Sequence, residues 1–147
     1  MQFILKSFQE LSLEELYELL RLRQEVFVLE QECAYLDADG KDQAGWHLMG
    51  KKNGEIVAYA RLLPQGISYE SYPSIGRIVT SASGRGKGYG KALVEKSIAI
   101  CRQKWGKQPI KISGQSYLLN FYQSFGFQIV GEEYLEDGIP HLAMLLE

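Results

Sequence analysis

The stretch from Ile75 to Ser113 constrains the chain most, because it reads as strand, glycine-rich loop, helix and strand. The strands are expected at Ile75–Thr80 and Pro109–Ser113. The helix between them runs from about Gly88 to Trp105, buries Val94, Ile98, Cys101 and Trp105, and stops at Gly106. Two strands joined through a helix lie parallel in one sheet, with a right-handed crossover.

The rest of the chain is linked by short turns. Residues 2–8 read as a first strand. Ser12-Leu13-Glu14-Glu15 is a capping box, and apolar residues follow at helical spacing at Leu16, Leu19, Leu20, Val26 and Phe27, with Arg23 on the same face. Residues 33–45 hold Asp37, Asp39, Gly40, Asp42 and Gly45 and are expected to form a loop. Trp46–Lys52, the turn Asn53-Gly54 and Glu55–Leu63 predict a hairpin. In its second arm Ile56, Ala58, Ala60 and Leu62 share one face and Val57, Tyr59, Arg61 and Leu63 the other, apolar enough on both for a central strand. A short helix is expected at Tyr117–Phe125, then strands at Phe127–Tyr134 and Ile139–Leu146. The order β-α-β-β-β-α-β-α-β-β implies an α/β chain with a mixed sheet, flanked by helices on both faces, in a single domain over residues 1–147.

Composition narrows the function. At 147 residues the chain can build one core without staples, and a net charge of −2 gives no global attraction to nucleic acid or membrane. The start Met1-Gln2-Phe3-Ile4-Leu5-Lys6 lacks the signature of a signal peptide, and no apolar run approaches the roughly 20 residues that span a bilayer. Cys33 and Cys101 alone make neither a disulfide framework nor a four-ligand zinc site. A cytoplasmic protein without a metal centre is the expectation.

Ser83-Gly84-Arg85-Gly86-Lys87-Gly88-Tyr89-Gly90-Lys91 carries the chemistry. No acidic residue occurs from Ser71 to Val94, whereas Arg77, Arg85, Lys87 and Lys91 do. Positive charge at a helix start opposes the helix dipole, so an anion is expected to offset it, and a phosphate suits the free N–H groups there. Lys87 is followed by glycine rather than Ser or Thr, which excludes a Walker loop. Both registers of the dinucleotide fingerprint fail, at Tyr89 and at Lys91.

The remaining pattern, Arg85-x-x-Gly88-x-Gly90, resembles the acyl-CoA pyrophosphate loop of the GNAT superfamily of N-acetyltransferases. Asn120-Phe121-Tyr122-Gln123-Ser124-Phe125-Gly126-Phe127 is similar to the second cofactor motif of that superfamily. Upstream, Arg23-x-x-Val26-Phe27-Val28-x-Glu30-Gln31-x-Cys33-Ala34-Tyr35-x-Asp37-x-Asp39 and the closing Glu136-Asp137-Gly138-Ile139-Pro140-His141 resemble the ElaA-like branch, with Ala34 where proline is expected. The resemblance implies a GNAT-like fold and acetyl-CoA as donor. It implies a cofactor site of Arg85, Gly86, Lys87, Gly88, Tyr89, Gly90 and Lys91, with Asn120 on the pantetheine arm and Tyr122 near the thioester sulfur. It also implies a backbone donor for the reacting carbonyl at Ile78 or Val79.

A lysine-like amine has a pKa near 10.4, so presenting it neutral costs about 4 kcal/mol, and a general base reduces that cost. The candidates are Glu30, Asp37, Glu70, His47 and His141, with His141 favoured by its position after a turn. Tyr122 is the expected proton donor to the leaving thiolate. Asp37, Asp39 and Asp42 read as turn formers in a solvated loop that could attract a cationic acceptor, and their spacing does not fit a calcium loop. Cys33 reads as half-buried and lacks a basic neighbour in sequence, which favours direct transfer in a ternary complex over an acetyl-cysteine intermediate. The expected partners are a small-molecule or peptide amine and, for assembly, a homodimer. The alternatives are an acyl-CoA-sensing module without turnover and an enzyme of the acyl-homoserine-lactone synthase type.

Overall fold

The computed structural model describes residues 1–147. Its strands are β1 (Gln2–Ser7), β2 (Trp46–Lys52), β3 (Glu55–Leu63), β4 (Ser74–Thr80), β5 (Ile110–Gln115), β6 (Gln128–Ile129), β7 (Tyr134–Glu136) and β8 (Ile139–Leu146). Its helices are α1 (Leu13–Arg23), α2 (Tyr89–Trp105) and the short α3 (Leu119–Gln123). The strands form one mixed sheet in the order β1-β2-β3-β4-β5-β8-β6, with β7 beside the start of β8. Only β4 and β5 run parallel, as the strand–helix–strand reading requires. No helix is long and apolar enough to cross a membrane.

Helices cover both faces. On one, Leu93, Ile100 and Cys101 of α2 meet Ala58, Ala60 and Leu62 of β3 and Ile110 and Ile112 of β5. On the other, Leu19 and Leu22 of α1 meet Met49, Tyr59 and Val79. β3 is buried along nearly its whole length, as expected of a central strand. Three local expectations are corrected. The buried face of α2 is Leu93, Val94, Ser97, Ile100 and Cys101, with Ile98 and Trp105 only half-buried. Ser97 can face the core because its hydroxyl donates to Leu93 O at 2.7 Å. Ile56 joins the α1 side rather than Ala58 and Ala60, because the register slips where Gly50 pairs with Ala58 and Lys51 with Ile56. The strand expected at Phe127–Tyr134 is two short strands, parted at Gly131 with φ +85°.

The capping box forms as read: Ser12 Oγ accepts from the Glu15 N–H at 3.0 Å, and Glu15 accepts from the Ser12 N–H at 2.9 Å. Glu15 also accepts from Lys6 of β1 at 2.8 Å and Lys51 of β2 at 3.1 Å, so one carboxylate caps α1 and ties it to the sheet. Past Arg23 the backbone winds more widely over Gln24–Glu30, with bonds from Gln31 N–H to Val26 O and from Cys33 N–H to Val28 O.

The acids expected in a solvated loop are instead partners of arginines, which corrects that reading. Asp37 and Asp42 are buried, and Arg23 has no exposed surface. Arg23 donates to Asp37 and to Asp42, each at 2.7 Å, and Arg61 donates to Asp42 at 2.9 Å and Asp39 at 2.8 Å. Desolvation opposes the Asp42 charge, but the two guanidinium groups outweigh it and hold its pKa below the usual range. His47, fully buried, sits against the Tyr59 hydroxyl at 2.6 Å and Asp42 O at 2.9 Å. Burial lowers its pKa, and it lines none of the clefts described below, so the fold does not bring His47 to them.

Two predictions follow from these contacts. Asp42→Asn leaves two buried guanidinium groups short of charge and is expected to cost about 3–5 kcal/mol in urea denaturation. For Glu15, desolvation raises the pKa, but the bonds from Lys6, Ser12 and Lys51 outweigh it and bring it to about 2. A folded pKa below the unfolded value of about 4.3 means that stability present above that pH is lost as pH falls toward 2. Glu15→Gln is therefore expected to lower the urea midpoint at pH 7 and to flatten its dependence between about pH 4.3 and 2.

Candidate active site

β4 and β5 share a single paired position, Ser74 with Lys111, and part beyond it. An open cleft fills the parting, with Ile75 to Ile78 on one wall and Ile112 to Gln115 on the other. Its floor includes Tyr122, and its far side includes Glu136 and His141. Through Ile78, Gln115, Leu118 and Tyr122 it joins a groove running to Arg85 and Gly90. Through Gly76, Arg77, Ser113 and Glu136 it joins a second opening beside Tyr69 and Tyr134.

β4 is bulged here. Gly76 pairs with Arg61 and Val79 with Tyr59, so Arg77 and Ile78 face one residue of β3 and leave the paired register. Arg77 adopts φ +49°, a left-handed conformation that costs a non-glycine residue about 1 kcal/mol or more. Its side chain offsets this: Nε lies 2.9 Å from Asp37 Oδ1, and Nη2 donates to Asp37 O at 3.1 Å. Asp37 is thereby held between Arg23 and Arg77, which removes it from the candidates for a free base.

The glycine-rich loop ends in the N-terminus of α2. The N–H groups of Gly86, Lys87, Gly88, Tyr89, Gly90 and Lys91 donate to no protein atom. Gly86 and Gly88 have φ +75° and +77°, and the space where their Cβ atoms would stand is open. The first turn of α2 carries no acid. The side chains of the loop diverge. Arg85 makes a two-pronged pair with Glu30, at 2.8 Å for one prong, across the groove. That bond holds the Glu30 carboxyl below its usual range, so Glu30 is a charged partner and a poor base. Tyr89 turns inward against Gly84, and Lys87 lines a separate surface cleft with Lys52. Lys91 is exposed.

α3 lies beside this loop, with Phe121 3.9 Å from the Cβ position of Gly90. Tyr122 is 5% exposed and packs edge-on against Phe121 and Phe127. Its ring lies close against Gly114 of β5, where any Cβ would stand 2.8 Å from a ring carbon. A glycine inside a strand pattern is the sequence signal for such an approach. Burial, with a smaller contribution from Tyr117, pushes the Tyr122 hydroxyl up to about 12. Asn120 is exposed and lines none of these clefts, and Glu70 is likewise exposed outside them.

His141 is brought to the cleft, 7% exposed, with Nδ1 2.7 Å from Ile139 O and Nε2 3.3 Å from Glu136 Oε2. Glu136 Oε1 accepts from Ser113 Oγ at 3.2 Å, and Ser113 Oγ also bonds to the Tyr134 hydroxyl. Asp137 and Gly138 turn the chain from β7 to β8 with φ +51° and +78°, a two-residue hairpin turn. Cys33 Sγ donates to Asp137 O at 3.2 Å and pins that turn to the segment after α1. Ser113 and Tyr134 carry no local motif, whereas Glu136 opens the closing one, and pairing of β5 and β7 with β8 brings the three together.

The architecture and motifs match known proteins. Residues 10–147 match the family model described as an acetyltransferase (GNAT) domain. The chain is 47% identical over 140 residues to protein ElaA of Escherichia coli strain K12, covering 94% of this chain and 91% of that protein. The crystal structure of Escherichia coli ElaA superposes with a TM-score of 0.93 at 42% identity over 100% of both chains. An acyl-CoA N-acyltransferase from Pseudomonas aeruginosa superposes with a TM-score of 0.94 at 40% identity over 99% of both. With a bulged β4 parting from β5, a free-donor loop at the start of α2 and this degree of likeness along its whole length, the chain belongs to the GNAT acetyltransferase family.

Proposed function

We propose that the protein transfers an acetyl group from acetyl-CoA directly to a primary amine, the two substrates meeting in the parting between β4 and β5. The observation that carries this reading is the run of unpartnered N–H groups from Gly86 to Lys91, joined by one groove to a cleft holding Tyr122 and His141. The residues fit the donor. A pyrophosphate would satisfy those N–H groups at the positive end of α2, and Gly86 and Gly88 leave room for close approach. Arg85 would exchange Glu30 for phosphate, while Lys87 and Lys91 would add positive charge nearby and Tyr89 would contribute its N–H alone. Asn120 would reach the pantetheine arm from the outer side of α3. Acetyl-CoA supplies an activated thioester.

Ile78 is better suited than Val79 to donate an N–H to the reacting carbonyl oxygen, because Val79 is paired with Tyr59 and Ile78 is out of register. Such a fixed donor stabilises the oxyanion as charge develops. His141 would take the amine proton on Nε2. Tyr122, with its pKa near 12, keeps its proton at physiological pH. A CoA thiol resembles cysteine, with a pKa of roughly 8.5, and is the stronger acid. Tyr122 would therefore stabilise the departing thiolate by a donated hydrogen bond rather than by full protonation.

Tyr122→Phe keeps the ring packing and removes only that donor. Its single-turnover rate at pH 7 is expected to fall about 10²-fold with little change in acetyl-CoA affinity. A wild-type rate would return Tyr122 to a packing role. Acetyl-CoA and CoA are expected to raise the melting temperature, by the equivalent of about 2.7 kcal/mol at a hundredfold excess over Kd, and NAD is not. Release of free CoA thiol in the presence of amines tests the reaction itself. Tight CoA binding without turnover on a broad panel of amines and peptides would favour a sensing module.

A further inference from the structure

The aspartates and glutamates on the cleft walls and just behind them differ in what they hold. Asp37 is held by Arg23 and Arg77, Asp39 by Arg61 and Arg77, and Asp42 by Arg23 and Arg61. Three carboxylates and three guanidinium groups cancel. Glu136 has no lysine or arginine partner, and its side chain is 45% exposed at the junction of the inner cleft and the outer opening. The carboxylate is nonetheless oriented, by Ser113 Oγ, which is itself bonded to the Tyr134 hydroxyl.

Its remaining contact is with His141. A carbonyl oxygen cannot donate, so when His141 is neutral its proton sits on Nδ1, facing Ile139 O at 2.7 Å. Nε2 is then a bare acceptor, 3.3 Å from Glu136 Oε2, which is also an acceptor. Two acceptors face each other at the edge of a cleft, and only an added proton or a cationic donor between them makes that contact attractive.

We propose that this pair is the acceptor site, and that it selects amines arriving as ammonium ions: Glu136 binds the cation and His141 Nε2 receives its proton. The assignment rests on the reading of His141 as base. The N–H bond of the ammonium breaks, its electron pair remains on nitrogen as the nucleophile, and the proton forms an imidazolium. That imidazolium stays paired with Glu136 Oε2 and Ile139 O, so the transfer leaves no new charge unpartnered. The substrate class is a primary alkylammonium.

The test titrates n-butylamine into the CoA-saturated protein at pH 7.5, with binding read by calorimetry and by the ring signals of His141. Glu136→Gln is expected to weaken butylamine binding at least about tenfold, equivalent to about 1.4 kcal/mol. CoA affinity and binding of a neutral hydrazide of similar length are expected to stay unchanged. Glu136→Asp, which keeps the charge, is expected to retain part of the preference. Equal butylamine affinity in wild type and Glu136→Gln, or no butylamine binding by the wild type, would overturn the proposal. Butylamine binding that depends on Glu136 without acetyl transfer would support the ammonium site and count against the acetyltransferase reading alone.

Discussion

Asp42 holds two buried guanidinium groups at once, Arg23 from the end of α1 and Arg61 from the central strand β3. Neither cation has enough exposed surface to be solvated, at 0% and 4%, so the carboxylate is a condition of their burial. The same network reaches outward through Asp37 and Asp39 to Arg77, the residue at the bulge of β4. A strap of residues after α1, two strands and a strained backbone position are therefore joined by one set of charges. Apolar packing alone would not specify that arrangement, because it has no direction, whereas a two-pronged ion pair does.

The bulge in turn shapes the reaction space. A flat ladder would pair β4 with β5 along their length and leave no cleft. Here the pairing ends after Ser74 and Lys111, and the unpaired edges face each other across an opening. A groove to Arg85 and Gly90 leads off it, and Glu136 and Asp137 of the β7–β8 hairpin line it. Cys33 links that hairpin to the strap through Asp137 O. Its thiol is thus a donor in the contact that joins the two.

Much of the fold was legible in the residues. Asn53-Gly54 announced a hairpin and Ser12-x-x-Glu15 a helix start, because both depend on a few neighbouring groups. Gly86, Gly88 and Gly90 before an amphipathic run pointed to a helix N-terminus with free donors, and the N–H groups there have no protein acceptor. The side chains of that loop diverge: Tyr89 packs half-buried against Gly84 and Lys91 is exposed, since a helix start directs backbone donors one way and side chains several ways. Asp37 and Asp42 were misread because a dense local run of acids looks solvated until its partners are known, and those partners lie 14 to 40 residues away.

The sequence by itself determined most of the elements, their order and the parallel pair, since periodicity, caps and turns are short-range properties of the backbone and its nearest side chains. Motif spacing likewise sufficed to recognise the family. What only the tertiary structure decided was which polar groups meet. Ser113, Glu136 and His141 converge because β5 and β7 both pair with β8, and Tyr122 joins them because Gly114 lets its ring lie against β5. The physical reason is that burial, and with it the strength of every charge and hydrogen bond in the cleft, is set by neighbours distant in the chain.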